Sequence, residues 1–151
     1  MIVLHDLLHE RMNDVLAQAF AAMERSHVKN YEREGSEHTQ QRLRALYVLT
    51  VRAVREKNLG PMIAHADTIA RERFNAGYDI WEVQTAFNVL EEAVWALLIK
   101  EVPADGLGEA LGLVSTVLGV GKDTLARRYV SLASKSKAPS LNLESLFTGI
   151  E

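Results

Sequence analysis

The chain contains no cysteine among its 151 residues. That excludes a disulfide framework, a thiolate zinc site, an iron–sulfur centre and a cysteine nucleophile. Prolines are few, at Pro61, Pro103 and Pro139, so obligatory helix breaks are few as well. No apolar run reaches the roughly 18 uncharged residues that a membrane-crossing helix needs. Basic residues do not dominate: 17 Lys and Arg stand against 20 Asp and Glu, a formal net charge of −3. A nucleic-acid-binding domain normally carries a basic face, so nucleic acid is not an expected partner. The opening MIVLHDLLHERM has His and acids inside its apolar pattern. It lacks a basic stretch followed by an unbroken apolar one, so it does not read as a secretion signal. The expectation is a cytoplasmic protein with no membrane contact. β-branched alternation is also missing, which argues against a sheet.

What the chain does have is apolar spacing of helical period almost throughout. Hydrophobic residues make up 48% and charged residues 25%, enough for one domain with its own core. The spacing predicts a first helix over Val3–Ser26 and a polar joint or frayed helix over His27–Glu37. A second helix spans Glu37–Lys57, with Leu43, Leu46, Tyr47, Thr50, Val51 and Val54 as its buried stripe. Asn58-Leu59-Gly60-Pro61 stops it, with Gly suited to a left-handed cap. A third helix runs from Pro61 or Met62 to Gly77, with Ile63, Ala66, Ala70 and Phe74 inward.

Gly77 then caps that helix and Asp79 opens the next, with Glu82 at capping-box spacing. The fourth helix runs from Ile80 to Lys100 on the core row Ile80, Val83, Phe87, Leu90, Val94 and Leu97. After a loop over Glu101–Gly106, a fifth helix occupies Leu107–Ala133. Its inward register is Leu107, Leu111, Val114, Leu118, Gly121, Leu125, Arg128 and Leu132. The fold class is therefore all-α, a bundle of about five helices over residues 1–134. Residues 135–151 read as a flexible linker, Lys135–Ser140, and a short apolar–acidic tail.

Candidate sites are sparse. His5 and His9 sit four apart on one helical face and could share a metal. A carboxylate-bridged bundle site would need Glu-x-x-His on two helices, and HDLLHE does not supply it, so these histidines read as a polar helix edge. His27, His38 and His65 are scattered, and any one could be an axial haem ligand if an apolar pocket met it. Gly119-Val-Gly121-Lys122-Asp123-Thr124 lacks the first glycine and the final hydroxyl of a phosphate loop and follows no strand. The glycines from Gly106 to Gly121 read instead as close-packing or hinge positions, with a helix break at Gly119–Gly121 recapped by Asp123. Arg71, Arg73, Arg127 and Arg128 read as solvated or rim charges. No nucleophile with an activating base is legible, so no catalytic residue, metal or cofactor is assigned.

One row asks for a partner. Trp81, Asn88 and Trp95 are seven apart and Ile99 follows on the same side, roughly 110–150° from the core row of the same helix. Either neighbouring helices cover this row, or it is a candidate interface, since Trp is enriched at binding hot spots.

The stretch Ile69-Ala-Arg-Glu-Arg-Phe-Asn-Ala-Gly77-Tyr-Asp-Ile80-Trp-Glu-Val83, together with Ala126-Arg-Arg-Tyr129, resembles the N-terminal helical regulatory modules of the bacterial Rsb stress-response proteins. These are the RsbR/RsbRD-type co-antagonists and the related N-terminal domain of the phosphatase RsbU. The resemblance covers about Leu43 to Ala133. It implies a non-haem globin-like or four-helix module, usually dimeric, that takes in a signal or binds a switch kinase and performs no chemistry. The function expected on that basis is a homodimeric signalling module in a partner-switching pathway. Input would shift the packing of two helices, with the glycine-rich fifth helix allowing movement. The alternative is a sensor bundle holding haem, a metal or another ligand.

Overall fold

The computed structural model describes residues 2–137, and among these it contains helices and no strand. The helices are α1 (Leu4–Glu10), α2 (Met12–Arg25), α3 (Lys29–Glu34), α4 (Ser36–Glu56), α5 (Gly60–Asn75), α6 (Ile80–Glu101) and α7 (Ala104–Lys137). Five are long and correspond to the five expected from spacing; α1 and α3 are short. The expected first helix is α1 and α2 with an irregular step at Arg11 (φ −100°, ψ 14°). Helical bonding nevertheless continues through the step, from Arg11 N to Leu7 O and from Val15 N to Arg11 O. The Arg11 side chain reaches Glu101 at the far end of α6, 2.6 Å away. The polar joint contains the short helix α3, because Val28 and Tyr31 are apolar enough to be buried there.

The end of α5 follows its local signals closely. Gly77 adopts φ 85°, its N–H donates to Phe74 O, and Tyr78 N–H donates to Arg73 O. These two bonds are the Schellman pattern, which needs a left-handed residue. α6 then starts with a capping box between Asp79 and Glu82. At the end of α4, by contrast, the left-handed residue is Lys57 (φ 52°), not the expected Gly60. Gly60 is already the first residue of α5, and its N–H donates to the Asn58 side-chain oxygen at 3.0 Å.

The core is continuous. α5 packs along α7, α2 along α6 and α6 along α7, while α4 touches all four of these and α1. Tyr47, Met62, Phe87, Leu90, Leu98, Leu118 and Leu125 are fully buried at the centre. Tyr47 donates its hydroxyl to Leu8 O at 2.5 Å, tying α4 to α1. Burial pushes the Tyr47 phenol well above its ordinary value. The stripes expected on α4 and α6 are buried, with Ile80 only partly so. On α5 the inward residue is Met62, and Ile63 is exposed. Met62 meets α7 at Gly121, while Ala66 and Ala70 are buried and Phe74 partly buried, as expected.

The expected break at Gly119–Gly121 does not occur: α7 is one helix of 34 residues. A glycine costs a helix about 1 kcal/mol relative to alanine, and packing against α5 and α6 outweighs that here. Only Gly121 is close-packed: a Cβ there would lie 2.7 Å from the Phe87 ring and 3.1 Å from Met62 Sδ. Gly108, Gly112 and Gly119 face open space. α7 also runs past Ala133 to Lys137, three residues into the expected linker. The remainder of that linker and the apolar–acidic tail lie outside the described residues.

Candidate interaction face and a polar cluster at the α5–α6 turn

The helix α6 is 22 residues long and carries two apolar rows. The inner row of Val83, Phe87, Leu90, Val94 and Leu97 is buried. The outer row is not: Trp81 is 49%, Trp95 40% and Ile99 59% exposed, and Asn88 is exposed as well. The structure thus brings Trp81, Asn88, Trp95 and Ile99 onto one line of α6 that neighbouring helices cover only in part.

α7 runs antiparallel beside this row and fixes two of its members. Trp95 Nε1 donates to Ser115 Oγ at 3.1 Å. Lys122 Nζ donates to Asn88 Oδ1 at 3.1 Å and to Glu91 Oε1 at 3.3 Å. The same register continued toward the start of α6 puts Trp81 level with Tyr129 and Val130. Val130 is 66% exposed. Spacing alone did not single it out, because its exposure depends on how α7 is turned against α6. The face therefore has an apolar patch at each end and a polar middle of Asn88, Glu91 and Lys122.

A second arrangement was not legible in the sequence. Glu82 is 1% exposed. Its carboxylate accepts from Asn30 N (2.9 Å), Asn30 Nδ2 (2.7 Å) and Asp79 N (2.8 Å). Burial works to raise its pKa, but these donors and nearby Arg33 bring it below the ordinary glutamate value. The bonds clamp α3 onto the first turn of α6.

Beside it, Arg42 donates to Tyr78 Oη and to Glu34, each at 2.8 Å. Tyr78 Oη also donates to Glu34. The Arg42 guanidinium lies over the rings of both Tyr31 and Tyr78, which meet edge to face at 5.4 Å. Tyr129 Oη donates to Tyr78 O at 3.1 Å, so α7 is tied to the turn as well. Arg73, expected at the solvated surface, is instead part of this cluster and lies over Tyr78. The only readable signal was Glu82 at capping-box spacing; its two other bonds come from Asn30, 52 positions away.

Of the other candidates, His38 and His65 line one cleft between α4 and α5 and the remaining histidines lie elsewhere. His5 reaches only the neighbouring Asp6, 3.5 Å away, and His27 pairs with Glu32 at 3.2 Å. Among the described residues no group of three or more His, Asp or Glu side chains is placed to hold a metal. No helix among them is long and apolar enough to cross a membrane. Arg127 pairs with Asp123 and Arg71 with Asp67 at the surface, while Arg128 bonds Asp67 at 2.8 Å. Against family models, curated proteins and solved structures, the chain has no match.

Proposed function

We propose that this chain is a non-catalytic signalling module that pairs with a second copy of itself through the outward α6–α7 face. In that reading it is a cytoplasmic regulator of the partner-switching type, of the globin-like or four-helix kind found in the Rsb proteins it resembles. Its output would go to a partner protein such as a switch kinase.

The observation that carries the reading is the exposed line of Trp81, Trp95 and Ile99. Asn88 lies midway between the two tryptophans, so a two-fold axis beside it sets Trp81 of one copy against Trp95 of the other. A self-complementary patch of this kind is what an isologous dimer requires. Open space at Gly108 and Gly119 on α7 lets a partner helix approach closely. The face is small: about 27 Å of helix by about 20 Å across two helices gives roughly 540 Å² a side, at the low end for specific pairing. Pairing is thus expected to be reversible, and an input that favours one packing would shift the population.

Sedimentation velocity over a dilution series tests this. The unaltered chain is expected to pass from dimer to monomer on dilution. The double variant Trp81→Ala, Trp95→Ala should be monomeric throughout while its circular dichroism stays helical. A chain that is monomeric at every concentration, or a double variant that still dimerises, would sink the reading.

A further inference from the structure

A cleft of about 350 Å³ opens between α3, α4, α5 and α6, away from the α6–α7 face. Its size is that of a small-molecule site. Leu46, Ile69, Val83, Ala86 and Phe87 give it an apolar floor. Tyr31, His38, Arg42, His65, Glu72 and Arg73 supply its polar lining.

The two cations of the lining differ. Arg42 is already engaged by Glu34 and Tyr78. Arg73 is only 11% exposed, and its one acid partner is the adjacent Glu72, 3.3 Å away and 61% exposed. Arg73 Nε is buried with no hydrogen-bond partner, the sole such side-chain atom among the described residues. A buried charged donor without an acceptor bears its full desolvation cost. Burial, and then the Arg73 charge, hold the His65 pKa below its ordinary value, so at neutral pH its ring is uncharged and offers one N–H.

We propose that this cleft binds a small organic carboxylate, which accepts from the Arg73 guanidinium and lays its apolar body on the floor formed by Leu46, Ile69, Val83 and Phe87. A planar guanidinium matches a carboxylate fork. One guanidinium with an unused Nε–H, its only acid partner the mostly exposed Glu72, suits a monoanion better than phosphate, and the apolar floor suits an organic body better than an inorganic ion. The site does not depend on how the α6–α7 face is used.

Benzoate is the probe, with benzamide as its neutral isostere and inorganic phosphate as the bare anion, titrated into the full chain by calorimetry. Benzoate is expected to bind at least tenfold more tightly than either, and Arg73→Gln to lose that preference. If Arg73→Gln does not fold, the Nε–H proton resonance of Arg73 in the unaltered protein decides: benzoate must shift it and benzamide must not. Equal binding of benzoate and benzamide, tighter binding of phosphate, an unmoved Arg73 resonance, or no benzoate binding at millimolar concentration each overturns the proposal.

Discussion

The two faces of α6 are both rich in large apolar side chains, yet one is sealed and the other open. The inner face is held by contacts from several helices, including a glycine on α7 that leaves room for the Phe87 ring. The outer face is held by two side-chain links to α7, through Ser115 and Lys122. Apolar character alone therefore did not decide burial. What decided it was whether other helices supplied matching surface, and a bundle this size covers α6 on one side only. An apolar face left open on an otherwise well-filled helix is a surface that another molecule can use.

Four comparisons sharpen the contrast. The largest effect belongs to the inner face: Phe87→Ala is expected to cost about 3–5 kcal/mol of folding stability. Trp95→Ala, measured at concentrations where the chain is monomeric, should cost less, about 1–2 kcal/mol, from its half-buried ring and its bond to Ser115. Urea unfolding of both variants makes the comparison, and equal losses would mean that the outer row is part of the core.

Next comes the clamp on the first turn of α6. Glu82→Ala leaves the donors of Asn30 and Asp79 without their acceptor, at about 1–3 kcal/mol. The Glu82 pKa is lowered in the folded state. Its contribution is therefore complete above the unfolded value near 4.5 and is lost as pH falls through the folded value. Melting curves between neutral and acid pH should show the unaltered protein losing stability more steeply than Glu82→Gln below pH 4.5. Parallel curves would show that this carboxylate contributes nothing to the acid limb.

The glycines of α7 offer an internal control. Gly121→Ala puts a methyl group against Phe87 and Met62 and should destabilise by about 1–3 kcal/mol. Gly112→Ala meets nothing and should stabilise by up to about 1 kcal/mol. Opposite signs in thermal melts are the expected outcome, and a loss at both positions would mean that the open side of α7 is already occupied in solution. The smallest effect is expected at the polar middle of the outer face. Lys122→Met removes a part-exposed link to Glu91 and Asn88 and should cost less than about 1 kcal/mol. A larger loss of melting temperature would make that link a structural staple of the α6–α7 pair.

Much of the architecture was readable because its causes are local. The periodic stripes on α4 and α6, the Schellman end at Gly77 and the capping box at Asp79 and Glu82 each depend on residues a few positions apart. The exposed line through Trp81, Asn88, Trp95 and Ile99 was readable as a row off the core side, and its openness only once α7 was in place. Local signals misled where a distant contact set the outcome. Gly119 and Gly121 suggested a break, but packed against α5 and α6 the helix α7 is unbroken. Ile63 fits the helical period and is turned outward because Met62 takes the space beside Gly121. Gly60 looked like the cap of α4, and Lys57 took the left-handed turn while Gly60 opened α5.

Helical class, the positions of the main turns and the existence of a second row on α6 thus follow from the order of residues, since hydrogen bonding and side-chain period act over one or two turns. Which row is sealed, that Glu82 is enclosed by Asn30, and that Arg73 ends beside an apolar cleft with a donor unused were decided by tertiary packing. Those outcomes depend on which surfaces meet across the bundle, and no spacing along a single helix encodes that.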